Sequence, residues 1–342
     1  MKAFVSSRIS DKWLVELKKK FPDLECYDWF EHGMLSTEEM KKKINNCHLI
    51  VTESDTISAE MINNVENLFA IVDFRGTVIN IDIEAANQKG VVILNTPGRN
   101  ANAVADLTIA LMIMAARNIV RGINALRNGL WTEKGRYWIY QNHQGYDLPG
   151  KTVGLIGLGA IGKLVSQRLT GFDVHTIGYD PFVREEEAAS IGVKLVSLDE
   201  LFQTADFVSL HLPLNKQTKN MFGERELRMM KSSAYLINTS RAAVFQEDVL
   251  IRCLTEGWIA GAALDVYHSE PLDASYPLIN LPNVICTPHL GGATYDVIEH
   301  QSETGIGGLL EFMQGKNPDN IINPEAIAKS RIRLRGFSQE GA

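Results

Sequence analysis

The feature that most constrains the fold of this chain is a glycine-rich turn at residues 157–162, with the sequence G-L-G-A-I-G. The apolar segment 151–156 before it predicts a buried strand, and residues 163–170 after it predict a helix. With this G-x-G-x-x-G spacing, the first glycine permits a tight turn, the second lets a diphosphate approach the backbone, and the third lets the helix pack on the strand. The positive end of the helix dipole then faces the phosphates. The turn therefore predicts a dinucleotide site.

An acidic residue downstream supports this prediction. A second strand-like segment, 174–179, ends at Asp180, close to the roughly 20-residue spacing expected for a carboxylate that binds the adenosine ribose. A carboxylate at that place repels the 2′-phosphate of NADP. NAD is therefore the predicted cofactor, and Arg184 nearby is the one feature that would suit NADP.

Length and composition predict a two-domain globular protein. A chain of 342 residues can bury two cores. Its net charge of −7 argues against nucleic acid or an anionic membrane as the main partner. The N-terminus lacks the layout of a signal peptide, and no apolar run approaches the roughly 20 residues needed to span a bilayer. The four scattered cysteines favour reduced thiols over disulfides or a metal site. We therefore expect a cytoplasmic protein without a bound metal.

Short apolar segments alternate with amphipathic ones along the first hundred residues. The predicted strands are residues 2–6, 24–27, 48–52, 69–73 and 91–94, and the predicted helices are residues 11–20, 37–45, 58–64 and 83–89. Such alternation predicts a parallel sheet with helices on both faces. None of these turns has a glycine fingerprint, so the cofactor is not assigned to this half.

A second βα series runs from residue 151 to about residue 291. Its predicted strands are residues 152–156, 174–179, 193–195, 207–211, 234–238, 261–265 and 284–287, enough for a full doubly wound nucleotide-binding domain. A helix predicted at 294–314 has no place in that sheet, and we assign it to the first domain. The predicted domains are therefore residues 1–103 with 293–328, and residues 104–292. The basic segment 329–335 is predicted to be a solvated tail.

The region between the two series has an unusual composition. Residues 101–120 are rich in Ala and Met and nearly uncharged, which predicts a helix buried on most sides, either between domains or against another subunit. The polar segment 121–149 that follows carries several large aromatic residues: Trp131, Tyr137, Trp138, Tyr140 and Tyr146. Such residues suit a protein interface or satellite packing on the core.

Three residues in the loops after the last predicted strands have the chemistry of an active site. Ligands of doubly wound sheets bind at the carboxyl ends of the strands. Arg241 there suits a substrate carboxylate, although a lone arginine also forms surface ion pairs. A histidine has a pKa near neutrality and can exchange a hydroxyl proton, and a nearby carboxylate would fix its ring. His289 alone would be a structural histidine, but with Arg241 and Glu270 it is a catalytic candidate.

Six motifs occur in order along the chain: G-L-G-A-I-G at 157–162, Y-D-P at 179–181, H-L-P-L at 211–214, N-T-S-R at 238–241, A-L-D-V-Y at 263–267 with E-P at 270–271, and T-P-H-L-G-G at 287–292. Together they resemble the D-isomer-specific 2-hydroxyacid dehydrogenase family, in its phosphoglycerate dehydrogenase-like subgroup. The resemblance implies an α/β protein of two doubly wound parallel-sheet domains, with a Rossmann NAD-binding domain inserted in a flavodoxin-like substrate domain. It also implies a homodimer built on residues 101–148.

The same resemblance implies an activity and its residues. The protein would be an NAD-dependent oxidoreductase that interconverts a D-2-hydroxy acid, with or without a phosphate group, and its 2-oxo acid by hydride transfer. Arg241 would hold the carboxylate, His289 would be the acid/base and Glu270 its partner. The implied cofactor-binding residues are Gly157, Gly159, Ala160, Ile161, Gly162, Asp180, His211, Pro213, Thr239, Asp265, His289 and Gly291. His211 is either structural or next to the nicotinamide, and Asp265 is a supporting acid rather than a catalytic one.

One loop departs from the family pattern. The substrate loop usually has the form G-x-G-x-D-N-x-D, whereas residues 73–82 read D-F-R-G-T-V-I-N-I-D, without the second glycine and one residue shorter. The predicted substrate residues are Arg75, Gly76, Thr77, Arg99, Asn100 and Arg241. Arg75 and Arg99 either form an extra anion site, for example for a phosphate, or pair with Asp73 or other acids in a structural network.

An alternative function is a nucleotide-sensing binding protein, because the family includes a transcriptional corepressor of the same fold. Formate dehydrogenase is disfavoured, since that branch pairs its histidine with glutamine and this chain has Glu270.

Overall fold

The first 99 residues form a parallel five-stranded sheet in the computed structural model, which describes residues 1–339. Its strands are β1 (Lys2–Val5), β2 (Asp23–Cys26), β3 (Leu49–Thr52), β4 (Ala70–Asp73) and β5 (Val92–Leu94). The helices between them are α1 (Asp11–Lys20), α2 (Trp29–His32), α3 (Thr37–Ile44), α4 (Ala59–Asn64) and α5 (Ile83–Lys89). The strand order is β2-β1-β3-β4-β5, which is the flavodoxin-like order.

Both faces of this sheet are covered by apolar layers, because successive side chains of a strand point to opposite faces. One layer includes Phe4, Ile50, Ile71 and Ile93. The other includes Val5, Val51, Val72 and Leu94. Full burial of each such side chain stabilises the fold by about 1.5–3 kcal/mol. Strands β3 and β5 are almost entirely apolar and buried for this reason, whereas the edge strand β2 alternates polar and apolar residues and is partly exposed.

The second part of the chain forms a parallel seven-stranded sheet. Its strands are β6 (Thr152–Ile156), β7 (His175–Tyr179), β8 (Lys194–Leu195), β9 (Phe207–Leu210), β10 (Tyr235–Asn238), β11 (Gly261–Leu264) and β12 (Val284–Cys286). Its helices are α6 (Ala101–Ala116), α7 (Ile119–Arg127), α8 (Leu130–Lys134), α9 (Arg136–Asn142), α10 (Ala160–Leu169), α11 (Glu185–Ser190), α12 (Leu198–Thr204), α13 (Glu224–Met229) and α14 (Glu247–Thr255). The order β12-β11-β10-β9-β6-β7-β8 is that of a dinucleotide-binding sheet. The predicted fold class of two doubly wound parallel-sheet domains is confirmed.

The apolar helix α6 packs on α10 and on β10 and β11 within the second unit, and most of its side chains are buried, as predicted. It ends at Ala116 rather than at residue 120, because Asn118 has a φ of 51° and leaves the helical region. The polar segment that follows forms α7, α8 and α9.

No single helix among residues 1–339 has the length and apolar composition to cross a membrane, although the bent pair α6 and α7 meets that test by length and composition alone.

The end of the chain completes the first unit. It forms α15 (Tyr295–Ser302), a π-helical turn (Glu303–Gly307), α16 (Gly308–Met313) and α17 (Ile327–Gln339). Ile306, Leu309 and Phe312 are fully buried in the same layer as Val72 and Leu94. The chain therefore divides into a unit of Met1–Arg99 with the residues from Thr294 onward, and a unit of Asn100–Ala293.

The prediction of a solvated tail at 329–335 is wrong, because these residues belong to α17. Ser330 is buried and its hydroxyl donates to the carbonyl of Phe69 at 2.8 Å. The basic residues that made the segment look solvated bind backbone carbonyl groups. Arg331 donates to the carbonyls of Gly315 and Lys316, and Arg333 donates to the carbonyl of Glu66. Guanidinium groups suit the unpaired carbonyls where helices and turns end.

Candidate active site

The glycine turn connects β6 to α10, at the point where the strand order of the second sheet reverses. Gly157 has a φ of 94°, which only glycine adopts without strain. A Cβ at Gly157 would lie 2.7 Å from the carbonyl oxygen of His211, and a Cβ at Gly162 would collide with the carbonyl oxygen of Gly157. A Cβ at Gly159 would meet no atom within 4 Å. The outer two glycines therefore allow close packing, whereas Gly159 leaves open space beside the N-terminus of α10.

Asp180 lies next to the glycine turn, directly after β7. One carboxylate oxygen accepts a hydrogen bond from the amide of Leu158 at 2.9 Å, and the other accepts from the amide of Phe182 at 2.9 Å. The two bonds fix the carboxylate at the rim of the open space beside Gly159. An anion held there suits ribose hydroxyl groups and disfavours a phosphate.

His289 and Glu270 form a hydrogen-bonded pair after neighbouring strands, β12 and β11. Nδ1 of His289 lies 2.6 Å from Oε2 of Glu270, and because a carboxylate only accepts, Nδ1 carries the proton. The other oxygen of Glu270 accepts from the amide of Tyr267 at 2.8 Å. About half of the His289 side chain is exposed, and its φ is 52°. A left-handed histidine is strained, and such strain is concentrated at functional sites.

Asp265 holds the loop that carries the histidine. This buried carboxylate accepts from the hydroxyl of Thr287 at 2.6 Å, from the amide of Leu290 at 2.7 Å and from the amide of Gly291 at 2.8 Å. These three charge-assisted hydrogen bonds fix the chain both before and after His289. The structure thus gives Asp265 a positioning role, as expected of a supporting acid, and its direct contact with the cofactor stays a prediction.

Arg241 follows the next strand, β10. It lies in a turn that is held by hydrogen bonds of the Asn238 side chain and not by the guanidinium of Arg241. Oδ1 of Asn238 accepts from the amide and the hydroxyl of Ser240, and Nδ2 of Asn238 donates to the carbonyl of Arg241 at 3.1 Å. The guanidinium of Arg241 donates to the carbonyl of Ser240 at 2.7 Å. It forms no ion pair within the described residues, so the surface ion-pair alternative does not apply.

Comparison with known proteins places the chain in a family. Residues 109–291 match the model of the D-isomer specific 2-hydroxyacid dehydrogenase NAD binding domain. The chain is 36% identical over 330 residues to a glyoxylate reductase of Thermococcus litoralis, covering 96% of this chain and 98% of that protein. It is 34% identical over 337 residues to a glyoxylate reductase of Korarchaeum cryptofilum, covering 98% and 99%. The chain belongs to the D-isomer specific 2-hydroxyacid dehydrogenase family. The fold of the apo D-lactate dehydrogenase from Escherichia coli is also similar, with a TM-score of 0.78 at 27% identity over 94% of this chain and all of that one.

Membership in the 2-hydroxyacid dehydrogenase family confirms the predicted class of activity. The protein is an NAD-dependent oxidoreductase that interconverts 2-hydroxy and 2-oxo acids, and the alternative of a binding protein without turnover is not supported. The residues present fit the cofactor. Gly159 leaves space for a diphosphate where the first amides of α10 have no partner within the helix, and Asp180 is held for the ribose.

The remaining predicted cofactor residues lie around the same edge of the sheet. His211 is buried and packs behind the glycine turn, where its Nε2 lies 3.0 Å from the hydroxyl of Ser209. Burial lowers the pKa of His211 to about 3, so this imidazole is neutral. Thr239 is buried with its hydroxyl 2.8 Å from that of Thr108 on α6. These two side chains support the wall of the site, whereas Pro213 is exposed.

The predicted substrate loop of the first unit follows β4 and has free backbone donors. The side-chain amide of Asn95 donates to the carbonyl of Gly76 at 2.8 Å, and the amide of Thr96 donates to the carbonyl of Arg75 at 2.9 Å. The amides of Gly76 and Thr77 donate to no group in the described part of the chain, and both residues are exposed. Free amides beside a guanidinium suit a carboxylate. Asn100 belongs to the second unit, where its side chain lies close to Gly292.

The two arginines considered for an anion site differ in their partners. Arg99 is paired with Glu53 at 2.5 Å and also donates to the side chain of Gln301, so the structural-network alternative describes Arg99. Arg75 donates to the backbone carbonyl of Glu53 at 3.2 Å and has no ion pair among residues 1–339. Sequence reasoning missed Glu53, which belongs to no motif. The sequence signal that could have identified Glu53 is its position directly after β3, at the carboxyl end of a strand.

Proposed function

We propose that this protein is a reductase of small 2-oxo acids, with glyoxylate the first candidate substrate, and that it uses NADH. Both curated relatives named above are glyoxylate reductases. The observation that carries the proposal is the placement of Arg241, Glu270 and His289 after three neighbouring strands of one sheet. An arginine for a carboxylate and a hydrogen-bonded histidine for a proton are the two protein groups that reduction of a 2-oxo acid requires.

Each residue has a distinct role in this proposal. Arg241 binds the substrate carboxylate through its guanidinium, which forms no ion pair within the described residues. NADH, when bound, supplies the hydride to the oxo carbon. His289 gives the proton of Nε2 to the oxo oxygen, because Nδ1 is held by Glu270. Glu270 stabilises the charge and orientation of the ring, and Asp265 keeps its loop in place.

We further propose that the protein is a cytoplasmic homodimer that pairs through α7, α8 and α9. Several large apolar residues on these helices are exposed: Ile119, Ile123, Leu126, Trp131, Tyr137 and Tyr140. Several exposed large apolar residues on consecutive helices are typical of an interface. The four cysteines are free, which suits a reducing compartment.

A turnover screen tests the proposed reaction. Purified protein is mixed with NADH and a panel of 2-oxo acids, and NADH consumption is followed by absorbance. We expect turnover with glyoxylate and hydroxypyruvate, and an His289→Ala variant serves as the matched inactive control. NADH binding without turnover of any oxo acid in the panel would contradict the proposal.

A further inference from the structure

Tyr267 lies in the loop between β11 and Glu270, and it contacts both sides of the Glu270–His289 pair. Its backbone amide donates to Oε1 of Glu270 at 2.8 Å. Its hydroxyl donates to the carbonyl of Thr287 at 3.0 Å, two residues before His289. A single residue therefore connects the carboxylate with the loop that carries the imidazole.

The carbonyl of Thr287 belongs to the turn that presents His289. The amide of His289 donates to this carbonyl at 2.9 Å, which closes a three-residue turn around Pro288. His289 itself has a φ of 52°, a strained conformation that persists only where the surrounding structure holds it. Because the hydroxyl of Tyr267 donates to the same carbonyl oxygen, it helps to hold the turn that determines where the imidazole lies.

The same hydroxyl joins the ends of two neighbouring strands. β11 and β12 are paired up to Leu264 and Cys286, and the amide of Thr287 donates to the carbonyl of Leu264 at 3.0 Å. Tyr267 donates to that carbonyl as well, at 2.9 Å. Its one proton is therefore shared between the carbonyls of Leu264 and Thr287, one from each chain. This bridge keeps the two loops together beyond the paired residues.

The surroundings of Tyr267 keep its hydroxyl a donor. Burial raises the pKa of this phenol above its usual value, and the nearby carboxylate of Asp265 acts in the same direction. The phenol therefore stays protonated throughout the neutral range, and its two acceptors are backbone carbonyls, which do not titrate. The ring packs edge-on against Tyr276, with the ring centroids 6.0 Å apart. Phenylalanine in place of Tyr267 would keep this packing and lose both hydrogen bonds.

We propose that Tyr267 is a positioning residue of the reaction: its hydroxyl holds the turn of His289 beside Glu270, so that Nδ1 stays bonded to the carboxylate and Nε2 stays free to exchange a proton. The proposal rests on the roles of His289 and Glu270 in the proposed function, and it adds the residue that fixes them relative to each other. Tyr267 acts through these two residues. Its effect on rate can be large, because a misplacement of about 1 Å can cost about 10²-fold.

The variant Tyr267→Phe tests the hydroxyl alone, in the full-length enzyme with NADH and glyoxylate. We expect kcat to fall about tenfold, less than the roughly 10²–10⁴-fold that the acid itself contributes. KM for glyoxylate and the affinity for NADH should stay close to the wild-type values, because Arg241 and the glycine turn are unchanged. The solvent deuterium isotope effect on kcat should increase, because transfer of the Nε2 proton becomes more strongly rate-limiting.

Tyr276→Phe is the matched control. Tyr276 is also partly buried and contacts the ring of Tyr267, but its hydroxyl lies 3.1 Å from a carboxylate oxygen of Glu247 and not at the turn of His289. This variant loses one hydroxyl from the same pair of rings and should keep the wild-type kcat and isotope effect. Thermal unfolding of both variants shows whether they are folded.

A measurement without turnover tests the position of the ring directly. In protein with isotopically labelled histidine, the ring nitrogen shifts in NMR spectra report which nitrogen of His289 carries the proton, and His289→Ala identifies the signal. At a pH where the ring is neutral, we expect the Nδ1 tautomer in the wild type and a mixture of both tautomers in Tyr267→Phe.

The outcomes are distinguishable from those of the proposed function. If the wild-type enzyme reduces no 2-oxo acid but the tautomer changes in Tyr267→Phe, the proposed function fails and the positioning of His289 by Tyr267 stands. A folded Tyr267→Phe variant whose kcat, isotope effect and tautomer all equal those of the wild type overturns the positioning role. An equal loss of kcat in Tyr276→Phe overturns it as well, because the effect would then not depend on the bridge to Thr287.

Discussion

Glu270 accepts a hydrogen bond of 2.6 Å from Nδ1 of His289 while its other carboxylate oxygen accepts from the amide of Tyr267. The carboxylate thus fixes the tautomer and the plane of the imidazole from within the same sheet edge. Nε2 is then the ring nitrogen left for proton exchange. The pair therefore separates two tasks, since one residue moves a proton and the other determines which nitrogen does so.

The first prediction concerns this pair. We expect His289→Ala to lower kcat by about 10²–10⁴-fold, because the proton donor is lost. Glu270→Gln should lower kcat less, since glutamine still accepts a hydrogen bond from Nδ1. NADH affinity, measured by nicotinamide fluorescence, should stay close to that of the wild type in both variants. Loss of NADH binding in His289→Ala would instead mean that the histidine is structural.

The second prediction concerns Arg241. We expect Arg241→Ala to reduce kcat/KM for glyoxylate by roughly 10²-fold, because the carboxylate is no longer oriented. Arg241→Lys keeps the charge and loses the planar fork, so it should recover only part of the activity. Steady-state kinetics of the two variants checks this order. Equal activity of Arg241→Ala and the wild type would remove the residue from the site.

The third prediction concerns cofactor choice. Asp180 is fixed by the amides of Leu158 and Phe182, and its negative charge lies where a 2′-phosphate would come. We expect Asp180→Ala to raise the ratio of NADPH to NADH efficiency by about tenfold or more. Asp180→Asn, which removes the charge with little change in size and keeps one of the two accepted hydrogen bonds, is the comparison variant. A ratio unchanged in both variants would exclude Asp180 as the determinant.

The fourth prediction concerns Asp73, a buried carboxyl at the end of β4. Burial raises its pKa to about 7, against the lowering effect of nearby Arg75 and Arg99. Between about pH 4 and pH 7 the native state keeps this proton and the unfolded state has lost it. Stability therefore falls as pH rises through that range. We expect Asp73→Asn to abolish this fall.

Urea unfolding at about pH 5 and about pH 8 measures the effect, because the slope of stability against pH reports the difference in bound protons. The gain in free energy of unfolding from Asp73→Asn should be larger at the higher pH. A gain that is equal at both values would show that Asp73 does not titrate in this range.

The sequence was sufficient for the strands and for the glycine turn, because both depend on local patterns. All twelve strands occur where they are predicted, most of them one residue shorter. The short helix Trp29–His32 was missed, since four residues make about one helical turn and are too few to show a helical pattern of apolar residues. The helical end of the chain was also missed. Alternating arginines are typical of a solvated tail, and the carbonyl groups that these arginines bind come close to them only in the folded structure.

The candidate site was predictable where motifs exist and not elsewhere. Arg241, Glu270 and His289 follow strands in recognisable segments, so their approach to one edge could be inferred from a parallel sheet. Glu53, Ser7 and Gln301 come from three distant segments and meet only through the topology of the first unit. Pairing between lone polar residues of this kind depends on distances that a sequence does not contain.

The return of the chain to its first unit has a consequence for biosynthesis. β1 to β5 leave the ribosome first, but Ile306, Leu309 and Phe312, which cover one face of their sheet, come more than two hundred residues later. At ordinary synthesis rates this delay is on the order of 10–40 s. During that time the second unit can be completed while the part of this apolar face that Leu17 and Phe21 do not cover remains exposed. The nascent N-terminal segment therefore depends on protection from aggregation until the end of the chain has been made.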